Sequence, residues 1–486
     1  MSARAGVLAA AAAYGAAFSA LSVLRHRAFE TGRFDLGNMV QTLWSTAQGR
    51  PLELTDLAGE QVSRLGSHVD PLLVALLPLW LVWPSPEALL VAQALAVALG
   101  ALPVFWLARK HLRSPRAGVL LAAAYLLYPP LQWATLAEFH PVTLSCPLLL
   151  FALWYLDEDR LLVFALFAAA AALGKEEVPL VVAALGVWYG LSRRRWAAGA
   201  VIAAAGIAAT LVAVEIVVPY FNESGSPFYD RYREVGGSPA GVLETALTDP
   251  LRLFGEAFDE RGLRYLAALV LPLAALCLSA PLALVIAAPE LALNLLSSIS
   301  TQTSVEHHYT AGLVPGLVAA TVFAVARLAR GSPRRAEALG LVVALAALIG
   351  NYRLGALPVW DRLPGGASRP AELVSVSHHD RVAARALELI PPDAGVSATN
   401  TLGAHLSERR RILSFPRTAG VEWVAVDETR PSILDRASAP RDGARAIARL
   451  SASRAWRVVF AEDGILLLRR VRAEQPAVTG TRTARS

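Results

Sequence analysis

Four short polar segments stand between long apolar runs of this sequence, and each joins a carboxylate to a histidine or a lysine. The segments are Gly66-Ser67-His68-Val69-Asp70, Glu138-Phe139-His140, Lys175-Glu176-Glu177 and Glu306-His307-His308. A carboxylate beside an imidazole suits general acid–base catalysis, and carboxylate oxygens suit a divalent cation. The segments therefore predict a site that moves protons or holds a charged substrate.

Asp35 lies in the segment Phe34-Asp35-Leu36-Gly37, between the first apolar run and an amphipathic stretch that contains Met39, Leu43 and Trp44. This position predicts a carboxylate held at the membrane surface. Capping of a helix that begins at Leu36 is an alternative role for Asp35, and the two roles are compatible.

His68 and Asp70 precede a proline, and the pair could bind a metal or a phosphate. The alternative is that Asp70 caps the following helix and that His68 is a surface residue. Neighbouring residues of a helix face about 100° apart, so His307 and His308 are expected to do different jobs.

Lysine is rare in this chain, because its 45 basic residues include only two lysines, Lys110 and Lys175. The compact ammonium of Lys175 would suit a phosphate contact or an ion pair with a neighbouring glutamate. A solvated turn between two helices is the alternative interpretation of residues 175–177. The net charge of +6 comes from arginine. The sequence contains no basic stripe with interleaved aromatic residues, so nucleic-acid binding is not predicted.

The elements that position these residues are predicted to be membrane-spanning helices. Hydrophobic residues make up 55% of the 486 residues and charged residues only 17%, whereas soluble domains have about 25% charged residues. A helix needs roughly 20 apolar residues to cross a bilayer. The sequence contains about 11 apolar runs that come near this length. The fold class is therefore an α-helical polytopic membrane protein. The predicted spans are 7–24, 86–108, 117–133, 141–156, 160–174, 177–191, 197–218, 263–279, 282–298, 310–328 and 336–352.

Three details complete the membrane interpretation. Glu290 and Asn294, four residues apart in one span, share a helix face and are predicted to line a cavity beneath the polar segments. Cys146 and Cys277 lie in apolar runs, so no structural disulfide is predicted. The first run, residues 7–24, is too long for a typical signal sequence and is predicted to stay as a helix.

Residues 71–83 form a shorter apolar run with an internal proline, which is predicted to be an interfacial or re-entrant helix and not a membrane span. With a cytoplasmic N-terminus, this choice places the arginine-rich loops inside, as the positive-inside rule expects. It places the four polar segments outside. The first outer loop, residues 25–85, carries five arginines, but a loop of this length obeys the rule poorly.

The character of the chain changes after residue 355. Residues 356–372 are predicted to link the transmembrane domain (1–355) to a small soluble α/β domain (373–472) outside the membrane, and residues 473–486 are predicted to be disordered. The domain is expected to contain a helix over 380–390. Its expected strands are 395–398, 411–415, 422–426, 457–460 and 465–468, the last two joined by the turn Glu462-Asp463-Gly464.

Several of these segments together carry a resemblance that covers nearly the whole chain. They are Phe34-Asp35-Leu36-Gly37, the run 41–51, His68-Val69-Asp70-Pro71, Glu138-Phe139-His140-Pro141, Lys175-Glu176-Glu177, Glu306-His307-His308-Tyr309, and the tail from His379 to Ala461-Glu462-Asp463-Gly464. The chain resembles an uncharacterised family of prokaryotic membrane proteins, domain of unknown function 2079 (DUF2079). That family is similar to the GT-C glycosyltransferase superfamily. Those enzymes use polyprenyl-phosphate-linked sugars, with an acidic residue of the first outer loop as catalytic base.

The resemblance implies that Asp35 is the base that deprotonates an acceptor hydroxyl. The candidate substrate and phosphate ligands are His68, His140, Lys175, His307 and His308. The candidate ligands of a divalent cation, Mg or Mn, are Asp70, Glu138 and Glu306. The supporting residues are Glu176, Glu177, Glu290 and Asn294. The expected partners are a polyprenyl-phosphate sugar donor, the lipid bilayer, and a glycan, lipid or protein acceptor outside the cytoplasm.

Two other functions remain open from the sequence. A transporter or flippase of a lipid-linked or small polar substrate also places ionisable residues in the membrane, but commonly near the midplane and within internal repeats. Here the polar residues gather at one rim, and no convincing repeat is present. A non-catalytic assembly factor of the cell envelope is the third possibility. Inverting sugar transfer in the cell membrane, with the site at the outer face, is the favoured prediction.

Overall fold

The computed structural model describes residues 2–222, 228–438 and 442–471, and it is mostly helical. The predicted disordered tail, residues 473–486, lies outside these described residues. The helices of the first 354 residues are α1 (Ala3–Arg27), α2 (Asn38–Ala47), α3 (Leu77–Val82), α4 (Pro86–Leu99), α5 (Ala101–Leu112), α6 (Pro115–Leu127), α7 (Pro129–Leu136), α8 (Pro141–Asp157), α9 (Leu161–Ala172), α10 (Val178–Arg193), α11 (Trp196–Val212), α12 (Val218–Phe221), α13 (Pro239–Thr248), α14 (Pro250–Ala257), α15 (Glu260–Val270), α16 (Pro281–Leu284), α17 (Ala288–Leu295), α18 (Val314–Ala329) and α19 (Pro333–Leu354).

Several of these helices are apolar enough to cross a bilayer. Within the described residues, four helical segments also have the length, namely Ala3–Arg27, Pro86–Leu112, Trp196–Phe221 and Pro333–Leu354. The pair α6 and α7 would be a fifth span, bent by 48°, because Tyr128 before Pro129 is extended and interrupts the helix. The shorter apolar helices α8, α9, α10 and α18 accompany them. The chain is therefore a multi-pass membrane protein, and the number of about 11 spans stays a prediction.

The predictions of continuous helices over 263–279 and 282–298 are wrong. After α15 the backbone forms a series of short helical turns that ends in α17. Pro272 has no backbone donor for a helical hydrogen bond, and Ala274 and Ala275 each adopt a positive φ of 53°. Irregular backbone at membrane depth is tolerated where it lines a cavity, and α17 does line one, as described below.

The run predicted to lie at the interface is indeed short. It consists of a 3₁₀ helix, Pro71–Leu76, followed by α3. Twelve residues in these conformations rise by about 21 Å, which is less than the roughly 30 Å of a hydrocarbon core. This segment cannot cross a bilayer of normal thickness as a perpendicular helix.

Helices α10 and α11 pack with their backbones in contact. A Cβ atom on Gly199 would lie 2.7 Å from the carbonyl oxygen of Gly186, and a Cβ atom on Gly186 would lie equally close to that of Gly199. Small residues allow membrane helices to approach in this way. The pair supports the turn Lys175-Glu176-Glu177, which leads directly into α10.

The C-terminal part of the chain is built around a five-stranded sheet of order β4-β3-β5-β7-β6. Its strands are β3 (Val396–Ala398), β4 (Ile412–Ser414), β5 (Trp423–Asp427), β6 (Trp456–Glu462) and β7 (Ile465–Arg470), and its helices are α20 (Arg369–Leu373), α21 (His378–Leu387), α22 (Asn400–Ala404), α23 (Ile433–Ser438) and α24 (Asp442–Ala452). The first three strands are parallel, and β7 is antiparallel to both β5 and β6. Each segment predicted to be a strand is a strand of this sheet. A separate hairpin, β1 (Glu53–Thr55) and β2 (Gln61–Ser63), lies in the first loop.

The side chains of β5 point alternately to the two faces of the sheet, and each face is covered by a hydrophobic core. Trp423 and Ala425 pack in the core on one side, with residues of α21. Val424 and Val426 pack in the core on the other side, with residues of α24. Successive side chains of a strand point to opposite faces, so a strand that is apolar throughout lies between two layers.

Candidate active site

Asp35 lies on a single π-helical turn, Arg33–Gly37, just before α2. The Oε2 atom of Glu138 accepts hydrogen bonds from the backbone N–H groups of Gly32, at 3.1 Å, and Leu36, at 3.0 Å. The alternative prediction that Asp35 caps a helix beginning at Leu36 is wrong, because the helical turn already begins at Arg33 and contains Asp35. The Asp35 carboxylate remains directed at a cavity, with its side chain 47% exposed.

Glu138 lies in the turn between α7 and α8 and has a positive φ of 73°. Gln93 of α4 holds this turn, because its Nε2 atom donates to the carbonyl oxygens of Thr135, at 3.0 Å, and Glu138, at 2.6 Å. Its Oε1 atom accepts from the backbone N–H of His140 at 2.9 Å. Gln93 is completely buried. Sequence reasoning missed it, although an amide inside an apolar run is a signal of this kind.

His140 brings an imidazole to Asp35. Its Nε2 atom lies 3.4 Å from Asp35 Oδ1, and its ring stacks on His308 with 3.6 Å between ring centroids. Burial acts to raise the pKa of Asp35, but the hydrogen bond and charge of His140, aided by Arg25, hold that pKa below its usual value. Asp35 is therefore ionised at neutral pH, as a general base must be.

Glu138 has the opposite electrostatic environment. Burial, together with the nearby charge of Asp35, raises the pKa of Glu138 to about 8. The pKa values of the two neighbouring carboxyl groups are thus shifted in opposite directions by their surroundings. Asp35 is the group that can accept a proton, and Glu138 orients the turn that carries it.

Asp35 and His140 line a polar cavity of about 340 Å³, into which the first loop and α8 project. A second cavity, of about 360 Å³ and largely apolar, lies between α10, α11, α13 and α17. The two cavities share four lining residues, His68, Lys175, Phe228 and Arg231. A polar chamber with a base thus adjoins an apolar one, with three nitrogen-bearing side chains where they meet.

His68 and Lys175 are held at this junction by neighbouring carboxylates. His68 Nδ1 lies 2.9 Å from Glu176 Oε1, and the second oxygen of Glu176 accepts from the backbone N–H of Val69 at 3.0 Å. Burial acts to raise the pKa of Glu176, but His68 and Lys175 lower it to about 2. Lys175 forms an ion pair with Glu177, and the charges of nearby glutamates raise its pKa against the effect of burial.

Arg231, which the sequence did not single out, completes the junction. It lies on the 3₁₀ helix Tyr229–Val235, with its guanidinium 4.3 Å from the centroid of the Phe228 ring. Its Nη1 atom donates to Gln302 Oε1 at 3.5 Å, and among the described residues no carboxylate lies within 4 Å of the guanidinium. A lone arginine in a long loop between spans has no pattern that would reveal it.

The three carboxylates predicted as metal ligands have separate partners. Asp70 is buried against Arg64, with Nε–Oδ1 at 2.8 Å, while Glu306 pairs with Arg369 and Glu138 binds the backbone of the Asp35 turn. No group of three or more histidine, cysteine or acidic side chains in the described ranges could hold a metal. These residues do not fit one shared divalent ion, and the predicted Mg or Mn stays a prediction.

The two adjacent histidines take different positions, as expected. His308 lines the polar cavity, whereas His307 does not. Burial and the charge of Arg369 lower the pKa of His307 to about 4. Glu290 and Asn294 both line the apolar cavity, and Asn294 Nδ2 donates to the carbonyl oxygen of Tyr309 at 2.8 Å. The structure thus brings Asp35, His68, His140, Lys175 and His308 around one cavity and leaves Glu306 and His307 at its margin.

The fold of the chain resembles that of a solved membrane protein. The chain is similar to ArnT from Cupriavidus metallidurans, whose crystal structure contains bound undecaprenyl phosphate, with a TM-score of 0.51 and 13% identity over 96% of this chain and 98% of that chain. The chain therefore has an ArnT-like membrane fold. Identity at this level supports the fold alone.

The family follows from the sequence match. Residues 25–467 match the family described as predicted membrane protein DUF2079, and the chain belongs to that family. This confirms the resemblance found in the polar segments. No curated protein matches the chain significantly.

Proposed function

We propose that this protein is a membrane glycosyltransferase that moves a sugar from a polyprenyl-phosphate donor to an acceptor outside the cytoplasm. The observation that carries the proposal is the pair of adjoining cavities. One is polar and holds an ionised aspartate beside a histidine, and the other is apolar and adjoins α11, a candidate span. A donor with an apolar tail and a phosphate-linked sugar has the same two-part chemistry.

The phosphate of the donor would lie at the junction of the cavities. Lys175 and Arg231 supply positive charge there, and His68 adds a third nitrogen-bearing side chain. Charged hydrogen bonds to phosphate strengthen as charge develops on the leaving group, which is how such residues accelerate transfer. The tail would extend into the apolar cavity, and the sugar would enter the polar one.

Transfer would follow an inverting displacement. Asp35 takes the proton from the acceptor hydroxyl, the oxygen forms a bond to the anomeric carbon, and the bond from that carbon to the phosphate oxygen breaks. The polyprenyl phosphate leaves with the electron pair of the broken bond. His140 stabilises the ionised state of Asp35 before the reaction, and this keeps the base ready at neutral pH.

This function fits an orientation with the N-terminus in the cytoplasm and the C-terminal domain (residues 373–472) on the opposite side. The arginine-rich turns Arg193-Arg194-Arg195 and 330–335 would then be cytoplasmic, as the positive-inside rule expects. The acidic and histidine-bearing turns would face the outer side, together with the C-terminal sheet.

The experiment is complementation of a deletion strain followed by mass spectrometry of its lipids and envelope glycans. The deletion should accumulate one polyprenyl-phosphate sugar and lose one glycan modification. Asp35→Asn should reproduce both changes, because loss of a general base lowers the rate by about 10²–10⁴-fold. Asp230→Asn, a surface substitution at an 81% exposed side chain, should behave as wild type. Full complementation by Asp35→Asn at normal expression would overturn the proposal.

A further inference from the structure

The C-terminal domain packs closely against the first outer loop and the end of α1. Phe29, which follows α1, belongs to the hydrophobic core between α21 and the sheet. The His405 ring stacks on both Phe29, at 3.9 Å, and His26, at 4.0 Å between ring centroids. Burial lowers the pKa of His405 well below its usual value, so the stacked ring is neutral.

Polar contacts extend this junction to the turn that carries Asp35. The backbone N–H of Phe34 donates to Asn400 Oδ1 at 3.2 Å. Arg33, only 2% exposed, donates to Ser414 Oγ and to the carbonyl oxygen of Thr55, each at 2.7 Å. Remote segments of the chain therefore hold Arg33 and Phe34, the two residues that precede Asp35.

Glycines allow the domain to approach the turn this closely. A Cβ atom on Gly32 would lie 2.5 Å from Asn400 Nδ2, and one on Gly37 would lie 2.5 Å from Ser407 Oγ. From the other side, a Cβ atom on Gly403 would lie 2.9 Å from Cβ of Arg33. The side chains of Asn400 and Ser407 thus lie directly against the turn, and the side chain of Arg33 lies directly against α22, so a shift of α22 would displace the turn.

We propose that Asn400 is a positioning residue for Asp35, through which the C-terminal domain sets the location of the base. The N–H groups of residues 32 and 36 are bound by Glu138 from the membrane domain, and the N–H of residue 34 is bound by Asn400 from the opposite side. The turn thus receives hydrogen bonds from both the membrane domain and the C-terminal domain. This inference rests on the proposed role of Asp35 for its catalytic part only.

Hydrogen–deuterium exchange of the full-length protein in lipid nanodiscs tests the positioning without any substrate. In Asn400→Ala, the peptide that covers residues 33–40 should exchange about tenfold faster, because one hydrogen bond to Phe34 is lost. Asn400→Asp keeps an isosteric acceptor and should restore slow exchange. Gly403→Val should act as Asn400→Ala does, whereas Gly443→Val, where a Cβ atom would meet nothing within 4 Å, should have no effect.

Kinetics with the lipid that accumulates in the deletion strain test the consequence. Asn400→Ala should lower kcat by about tenfold to a hundredfold, since misplacement by about 1 Å is that costly, while KM for the lipid stays within about twofold. Asn400→Asp should recover most of kcat. Unchanged exchange in Asn400→Ala would overturn the positioning, and unchanged kcat or an equal effect in Gly443→Val would overturn its catalytic part. If wild-type protein transfers no sugar, the proposed function fails, and exchange still decides whether Asn400 holds the turn.

Discussion

His140 Nε2 lies 3.4 Å from Asp35 Oδ1, and the two residues come from segments 105 positions apart in the chain. Burial alone would favour a protonated, inactive Asp35. His140 reverses that preference by lowering the pKa of the carboxyl group. In the proposed mechanism, the histidine therefore keeps the Asp35 carboxylate ionised, as a base must be.

This relationship predicts the acid limb of the pH profile. In the proposed mechanism Asp35 is active when deprotonated, so in wild type the acid limb of kcat/KM should lie below the usual pKa range of an aspartate. In His140→Asn, burial is opposed only by the weaker effects of Arg25 and His307, so the pKa of Asp35 rises and the loss of activity should begin at a higher pH. The measurement is kcat/KM from about pH 3.5 to 8 for both proteins. An acid limb at the same position in His140→Asn would show that His140 does not control Asp35.

Glu138 should act as a hydrogen-bond acceptor for the backbone. Two substitutions distinguish this role from that of a charged carboxylate. Glu138→Gln keeps an oxygen for the N–H groups of Gly32 and Leu36, and it should retain most of the activity. Glu138→Leu leaves both buried donors unsatisfied, at about 1–3 kcal/mol each, and should lower both kcat and Tm. Transfer kinetics and thermal unfolding are the measurements. If Glu138→Gln were as inactive as Glu138→Leu, a charged carboxylate would be required, as for a base or a metal ligand.

Arg231 offers a direct test of the phosphate position, because its guanidinium has no carboxylate within 4 Å among the described residues. Lys175 is less suitable, since its removal would leave Glu177 buried without its partner. Arg231→Ala should weaken binding of undecaprenyl phosphate by about tenfold to a hundredfold, the range for a lost charged hydrogen bond. Arg233→Ala removes a largely exposed arginine two residues away and is the matched control. Equal affinity of the two variants in a thermal-shift titration would place the phosphate elsewhere.

Much of the candidate active site could be predicted from the sequence, because ionisable residues between apolar runs are energetically costly in a membrane and are easily recognised. Asp35, His140 and Lys175 were found in this way, and they line one cavity. The role of Glu138 could not be predicted. Its neighbour His140 suggests a shared task, but the positive φ of Glu138 sends its carboxyl group to the backbone of Leu36 instead.

Contacts between residues that are far apart in the sequence could not be predicted from local sequence patterns. Phe34 and Asn400 are 366 residues apart, and nothing in either segment indicates the other. The strands of the C-terminal sheet were predictable because each is a short local run bounded by turn residues. The docking of the domain depends on Gly32, Gly37 and Gly403, whose importance appears only when the side chains of Asn400, Ser407 and Arg33 pack against them. The broken segment after α15 was mistaken for two helices because hydropathy does not register the positive φ of Ala274 and Ala275.

Close packing of α10 against α11 predicts a large effect of a small change. Gly199→Val would force a side chain against the backbone of Gly186, and it should lower Tm markedly, since overpacking costs about 1–3 kcal/mol or more. The turn at residues 175–177 would shift with α10, so binding of undecaprenyl phosphate should weaken as well. Gly6→Val is the control, because a Cβ atom there would meet nothing within 4 Å. Equal Tm values for the two variants would contradict the close approach of these helices.

The C-terminal domain contains a pH-dependent contact of its own. His379 lies between Asp427, at 3.0 Å, and Asp463, at 3.1 Å. Burial acts to lower the pKa of His379, but the hydrogen bond and charge of Asp427 outweigh it and raise the pKa above its usual value. A raised histidine pKa stabilises the folded state fully below the pKa of the unfolded chain, about 6.5, and the stabilisation is lost as pH rises through the folded pKa.

His379→Gln should therefore lower Tm at about pH 6 and have a smaller effect at about pH 9, with a shift on the order of 1–2 °C because the contact is partly exposed to solvent. His378→Gln changes the neighbouring exposed histidine, which makes neither contact, and it should leave Tm unchanged at both values of pH. Thermal unfolding of the detergent-solubilised protein, followed by tryptophan fluorescence, measures both. A Tm difference for His379→Gln that grows with pH would show that the histidine is stabilising in its neutral form, contrary to the pairing with Asp427 and Asp463.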